Sequence, residues 1–193
     1  DPETAGEPNN LQLERTALYR AIMQGSLPPL LREVLTDKAS WQMARLRVVF
    51  ADRARAESGA LDFHQEQIVT KFPGVHNIWT TLTPPGTVAN RDTPGVQFYV
   101  GRSEAQRTLR IGTPEYEALI DRLNRAAQAG EPGDSEGYFF RPQLSLGDAV
   151  LFDCYVPHAS YIPPAAQDTR VSFDIRLFPT PDDRGPKPFP ISQ

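Results

Sequence analysis

A single cysteine, Cys154, stands among 193 residues, so no disulfide can form within the chain and nothing in the composition calls for an oxidising compartment. A cytoplasmic protein is the simplest expectation. No apolar run approaches the roughly 20 residues that cross a bilayer, and the opening Asp1-Pro2-Glu3-Thr4 does not read as a signal peptide. The chain begins without Met, which leads us to expect residues before Asp1. An excess of positive charge is also missing: 20 Lys and Arg face 24 Asp and Glu, a net charge of -4, which argues against nucleic acid or an anionic membrane as the main partner. There is no internal repeat and no Gly-rich loop of the kind that cradles phosphate. With only three histidines, any imidazole-based site has very few candidates.

Proline, by contrast, is plentiful. Nineteen are present, well above the average usage of about 5%, and they cluster at Pro28-Pro29, Pro84-Pro85, Pro163-Pro164 and along the tail. Prolines so placed separate short strands. The length suits one domain with a sizeable core. We expect that domain over residues 1–179, followed by an extended Pro-rich arm over 180–193 that lacks apolar periodicity. Residues 10–24 carry apolar side chains at helical spacing and 27–35 repeat that pattern more briefly, which predicts a helical cover over about 10–36. From about 46 onward the pattern changes to short strands, expected at 41–50, 61–69, 74–82, 96–100, 138–140, 149–153 and 169–178. One helix, over 114–129, interrupts them, opened by Pro114 and closed by Gly130. The order fits an α+β, mainly β chain, a barrel or jelly roll with flanking N-terminal helices, better than alternating βαβ units.

The last strand is the most readable. Arg170, Ser172, Asp174 and Arg176 share one face, and Val171, Phe173, Ile175 and Leu177 share the other. A lining that contains Arg and Ser needs an anion or a pairing partner to offset its desolvation. Upstream, His64-Gln65-Glu66 places an imidazole and a carboxylate two residues apart, hence on the same side of an extended segment, with Gln65 facing away. His158 would supply a third ligand. Two imidazoles and one carboxylate on one face of an octahedron leave three positions open, the arrangement that non-heme Fe(II) oxygenases use. Arg170, with its forked guanidinium, is the candidate to grip the far carboxylate of a chelating dicarboxylate, and Ser172 can add a hydroxyl hydrogen bond.

Together these blocks resemble a known family. Phe63-His64-Gln65-Glu66, Asn77-Ile78-Trp79-Thr80-Thr81-Leu82, Gly147-Asp148-Ala149-Val150-Leu151-Phe152-Asp153 and Thr169-Arg170-Val171-Ser172-Phe173-Asp174-Ile175-Arg176 are similar, in order, to the 2-oxoglutarate/Fe(II) dioxygenases, and to their phytanoyl-CoA dioxygenase-like branch in particular. The resemblance implies a double-stranded β-helix with Fe(II) held by His64, Glu66 and His158, and 2-oxoglutarate anchored by Arg170 with Ser172. It also implies an activity: with O2, and ascorbate as a reductant, 2-oxoglutarate would be decarboxylated to succinate while a small molecule is hydroxylated, desaturated or cyclised, as in a biosynthetic tailoring step. Glu66 stands where that branch usually has Asp, a feature of the related clavaminate synthase-like enzymes. A carboxylate at this position argues against the halogenating variant, in which a small residue makes room for halide.

Other residues carry weaker signals. An isolated His-x-Glu is a common accident, and its meaning here comes from its order before His158 and Arg170. His76 reads as structural or pocket-lining. Trp79 can pack the barrel or meet substrate. Arg102 and Arg176 could meet an acidic group on a substrate, with a solvated loop and a salt bridge to Asp174 as their respective plain readings. Cys154 has no neighbour in sequence to lower its pKa and reads as a core residue. Two other classes remain open at this stage: a cupin-like barrel that binds metal or ligand without turnover, and a Zn-dependent isomerase or hydrolase with Glu66 as base.

Overall fold

A computed structural model describes residues 10–12, 39–51, 62–66, 74–83, 93–103 and 109–179. Nine strands and one helix occur among them: β1 (Asn10–Gln12), β2 (Ala39–Val49), β3 (His76–Thr81), β4 (Gly95–Gly101), α1 (Pro114–Gln128), β5 (Gly133–Asp134), β6 (Gly137–Phe140), β7 (Ala149–Asp153), β8 (His158–Tyr161) and β9 (Arg170–Pro179). They form two antiparallel sheets, one of five strands in the order β1-β2-β9-β3-β7 and one of four in the order β5-β6-β4-β8. Past β6 the chain alternates between the sheets, β7 and β9 joining the larger and β8 the smaller. The mainly β expectation holds.

β9 occupies the centre of the larger sheet, with β2 on one side and β3 on the other. Its alternation explains why. Phe173, Ile175 and Leu177 are at most 2% exposed on one face, while Ser172 and Asp174 are buried on the other, so both faces are covered. The side chains of Trp79, Val96, Phe98 and Phe152 form a cluster that joins the two sheets, β3 and β7 contributing from one and β4 from the other. The helix covers the smaller sheet's outer face. Thr113 caps it by accepting from the Tyr116 backbone N–H at 3.2 Å, and Pro114 opens the first turn, where a missing N–H costs nothing. Its buried stripe of Tyr116, Leu119, Leu123 and Ala126 follows helical spacing and packs onto Phe63, Tyr99, Phe139 and Ala159. Gly137 permits one close approach, because a Cβ there would lie 2.4 Å from the Tyr99 ring.

Two expectations need correction, and one strand that builds the site was not expected. Asn10–Gln12 is a strand paired antiparallel with Arg45–Arg47 of β2, so the N-terminal helical pattern does not begin there. Pairing along the edge of the sheet overrides a weak amphipathic signal. The remainder of that pattern, the second helical stretch at 27–35 and the 180–193 arm lie outside the described residues. The expected strand at 61–69 is reduced, within its described part, to a single bridge at His64. Finally, β8 was not read from the sequence, because its four residues, His158-Ala159-Ser160-Tyr161, are too short to show a period.

Candidate metal centre

The bridge at His64 builds the site. His64 N–H donates to the His158 carbonyl at 3.1 Å, and His158 N–H returns a bond to the His64 carbonyl at 3.0 Å. The two histidines are therefore direct antiparallel partners, with side chains on the same face and ring centroids 4.6 Å apart. Two residues on, Glu66 N–H donates to the Cys154 carbonyl at 3.1 Å, which brings its side chain back to the face of His64. The ligand atoms of His64, Glu66 and His158 all lie within 4.8 Å of one another.

Each imidazole is oriented by its own chain. Nδ1 of His64 lies 2.9 Å from the Asp62 carbonyl, and Nδ1 of His158 lies 2.9 Å from the Val156 carbonyl. A carbonyl only accepts, so both Nδ1 atoms carry the proton and both Nε2 lone pairs are left for a ligand role. Burial holds the His64 ring neutral, lowering its pKa to about 4 with help from His158. Burial works the other way on Glu66, but the adjacent His158 ring and the charge of Arg176 outweigh it and hold this carboxyl well below the usual range. Nε2 of His158 sits 3.6 Å from Glu66 Oε1, and an Arg176 guanidinium nitrogen donates to Oε2. Two imidazoles and one ionised carboxylate form a donor set suited to a divalent cation.

Gln65 faces away, as expected, yet its role is larger than that suggested. Its Nε2 donates to the Leu109 and Tyr155 carbonyls at 2.9 and 2.6 Å, and its Oε1 accepts from Ile111 N–H at 3.3 Å. Its backbone N–H donates to the Tyr116 hydroxyl at 2.9 Å, and Phe63 N–H donates to Asn124 Oδ1 at 2.7 Å, so α1 holds the segment from outside. Sequence reasoning missed these anchors.

Beside the triad a pocket of about 340 Å³, counting its open mouth, lies between the sheets. Its wall includes Asn77, Trp79, Arg170 and Asp174 from the larger sheet and Val96 and Ser160 from the smaller. Arg170 is 1% exposed, and burial lowers its pKa to about 9, which leaves it charged near neutrality. One guanidinium nitrogen donates to the Gly95 carbonyl, another to Ser160 Oγ at 3.3 Å, and the Trp79 ring centroid lies 5.2 Å away. Arg170 Nε, Ser172 Oγ and Asn77 Oδ1 are buried without a hydrogen-bond partner among the described residues. A desolvated cation with unused donors fits an anion.

The remaining candidates divide. Trp79 lines this pocket, and Arg176 reaches Glu66, while Asp174, its expected partner, pairs with Arg47 at 3.3 Å. Arg102 is exposed at the end of β4 and outside the pocket wall, its guanidinium donating to the Ser135 carbonyl at 3.5 Å. His76 falls on the other face of β3, 3.1 Å from the Gly74 carbonyl through Nδ1, and is not part of the cluster. Cys154 is fully buried against Val75 and Phe178, with its thiol pKa pushed up by burial. Asn77 also lines the pocket, a role its motif alone does not announce. Its position two residues before Trp79, on the same face, was the available signal.

No protein-family profile and no curated protein sequence matches the chain. Solved structures do. AviO1 from Streptomyces viridochromogenes Tue57 superposes with a TM-score of 0.58 at 16% identity, over 94% of this chain and 70% of AviO1. EctD from S. alaskensis, solved with bound Fe, gives 0.58 at 14% identity over 89% of this chain and 57% of EctD. SnoN, a non-heme alpha-ketoglutarate-dependent epimerase from nogalamycin biosynthesis, gives 0.55 at 10% identity over 93% and 71%. The chain shares its fold with these proteins. It spans little more than half of EctD, and at these identities the likeness is one of architecture. The donor set and the carbonyl-held Nδ1 atoms of this chain suit a divalent ion on their own chemistry.

Proposed function

We propose that this protein is an Fe(II)/2-oxoglutarate-dependent oxygenase that acts on a small molecule, with His64, Glu66 and His158 as metal ligands and Arg170 with Ser172 as the anchor for 2-oxoglutarate. We read its two facing sheets as a double-stranded β-helix. The observation that carries the reading is the meeting, in one pocket, of a two-histidine, one-carboxylate cluster with a fully buried and incompletely paired guanidinium. An iron ion bound there would supply dioxygen activation coupled to decarboxylation of the 2-oxo acid.

The chain's own groups do the rest. Arg170 Nε and Ser172 Oγ receive the distal carboxylate of the cosubstrate, a charge-assisted bond strengthened by the dry surroundings. Trp79 walls the cosubstrate and keeps Arg170 in place from one side. Asn77 Oδ1 is free to accept from a hydroxyl or amine of a bound molecule. Arg102, at the end of β4, is placed to meet an acidic substrate only from outside the pocket. Glu66 serves as ligand rather than base, since one oxygen faces the imidazoles and the other is held by Arg176. SnoN, which has the same architecture, acts in nogalamycin biosynthesis, and this supports a biosynthetic tailoring substrate.

The test is anaerobic titration of 2-oxoglutarate into Fe(II)-loaded protein, followed by its visible charge-transfer band and by calorimetry. Binding is expected, and Arg170→Ala should weaken it roughly 100-fold, the scale for removing one partner of a buried charged bond. Unchanged binding in Arg170→Ala would remove the anchor. With ascorbate and a suitable substrate, succinate should be released.

A further inference from the structure

We propose that Arg176 is a positioning residue that keeps Glu66 a one-oxygen ligand and thereby keeps the metal's third open position open. The two carboxylate oxygens are divided between partners. Oε1 lies 3.6 Å from His158 Nε2, on the side of the metal cluster, and Oε2 accepts from the Arg176 guanidinium. Both side chains are nearly dry, at 12% exposed for Arg176 and 9% for Glu66, so the bond is little weakened by solvent. Rotation of the carboxylate to offer both oxygens to an ion would break the charge-assisted bond from Arg176 to Oε2 in these dry surroundings.

The backbone makes the arrangement rigid. Arg176 lies in the central strand β9, opposite Asn77 of β3, and Glu66 is pinned by its bond to the Cys154 carbonyl. The consequence for coordination is simple counting. A carboxylate bound through one oxygen, with two imidazoles, leaves three of six octahedral positions vacant; one bound through both oxygens leaves two. A chelating cosubstrate takes two, so only the first arrangement retains a place for a further small ligand.

The proposal rests on the reading of His64, Glu66 and His158 as ligands, but not on 2-oxoglutarate. Zn(II), which is silent to air, is the probe, read by infrared difference spectra between metal-free and Zn(II)-loaded protein and by competition titration. The carboxylate stretch that shifts on loading, assigned by its loss in Glu66→Gln, should show the wide splitting of one-oxygen binding in the wild type. Arg176→Gln should narrow that splitting to the chelating range and weaken Zn(II) binding about tenfold, the lower end for losing a residue that orients a ligand. Arg176→Lys retains a donor for Oε2 and should restore the wide splitting. Two results overturn the proposal while leaving the metal site standing: a chelating carboxylate in the wild type, or wide splitting retained in Arg176→Gln. If Arg176→Gln does not fold, a chelating signature in Arg176→Lys has the same force. Absence of Zn(II) binding in the wild type overturns both the proposal and the site.

Discussion

The segment 62–66 and strand β9 both deliver residues to the same pocket, yet they are held in opposite ways. β9 is fixed by its backbone, paired with β2 from Val49↔Arg170 to Ala44↔Ile175 and, past a register shift, from Trp41↔Leu177 to Ala39↔Pro179, and with β3 from Thr81↔Ser172 to His76↔Leu177. Among the described residues the backbone of segment 62–66 has only a bridge to β8 and the Glu66 bond to Cys154, and the segment takes the rest of its support from side chains: Gln65 toward residues 109, 111 and 155, and Tyr116 and Asn124 from α1. A ladder ties a residue's position to the stability of the whole sheet. Side-chain anchors tie it to a few bonds that can be lost without unfolding. The two regions should therefore fail differently.

The largest effect is expected in β9. Phe173 is fully buried on the apolar face of that strand, and Phe173→Ala should cost about 3–5 kcal/mol of stability through lost burial and a cavity. Chemical denaturation should show that loss, while Zn(II) affinity of the protein that remains folded should change by less than about threefold, well under the 10–100-fold range for losing a ligand's orienting partner. A large fall in affinity alongside the fall in stability would mean that the sheet and the ligands are one unit.

An intermediate effect should appear in the pH dependence of the metal-free protein. His64 titrates near 4 in the folded chain instead of 6.5, because it is buried and faces His158. Between those values the unfolded chain binds a proton that the folded chain refuses, so stability falls as pH falls through that window and the contribution levels off below it. The full shift corresponds to at most about 3 kcal/mol. Melting curves of chelator-treated protein should lose stability from about pH 6.5 downward, before ordinary carboxylates near 4.3 begin to protonate. His64→Asn should flatten that upper limb. An identical profile in the variant would place the titration elsewhere.

The same contrast explains what could be read from sequence. β9 was legible because backbone pairing with a buried face leaves a period of two in the residues themselves, Arg170 through Leu177. α1 was legible from Pro114, its apolar stripe and Gly130. The triad was legible as residue types in an order, since His64 and Glu66 need only be two apart. What joins His64 to His158 is a pair of backbone bonds across 94 positions, and a four-residue β8 carries no pattern that announces it. Nor can spacing reveal that Gln65 reaches Leu109 and Tyr155, or that Arg176 turns toward Glu66 rather than Asp174, because such bonds depend on which loop passes within a few ångströms. Asn10–Gln12 misled for a related reason: three residues whose partner is β2 obey the sheet edge, not their own periodicity.

The smallest loss of stability, and the sharpest division between the regions, is expected from Gln65→Ala. The substitution leaves the Leu109 and Tyr155 carbonyls and the Ile111 N–H without their partner, a cost of about 1–3 kcal/mol if water does not replace it. None of the three proposed metal ligands is altered, and the reciprocal bonds between His64 and His158 remain. Among the described residues the tripeptide is then held by its bridge, by the Glu66 bond to the Cys154 carbonyl and by Tyr116, and Glu66 loses the anchor beside it. Zn(II) affinity should fall about 10–100-fold, as when a residue that orients a ligand is removed, so binding suffers more than folding. Phe173→Ala should show the reverse. If Gln65→Ala lowers stability but leaves Zn(II) binding unchanged, the bridge to β8 suffices to place the ligands, and the tripeptide is held by its backbone after all, as β9 is.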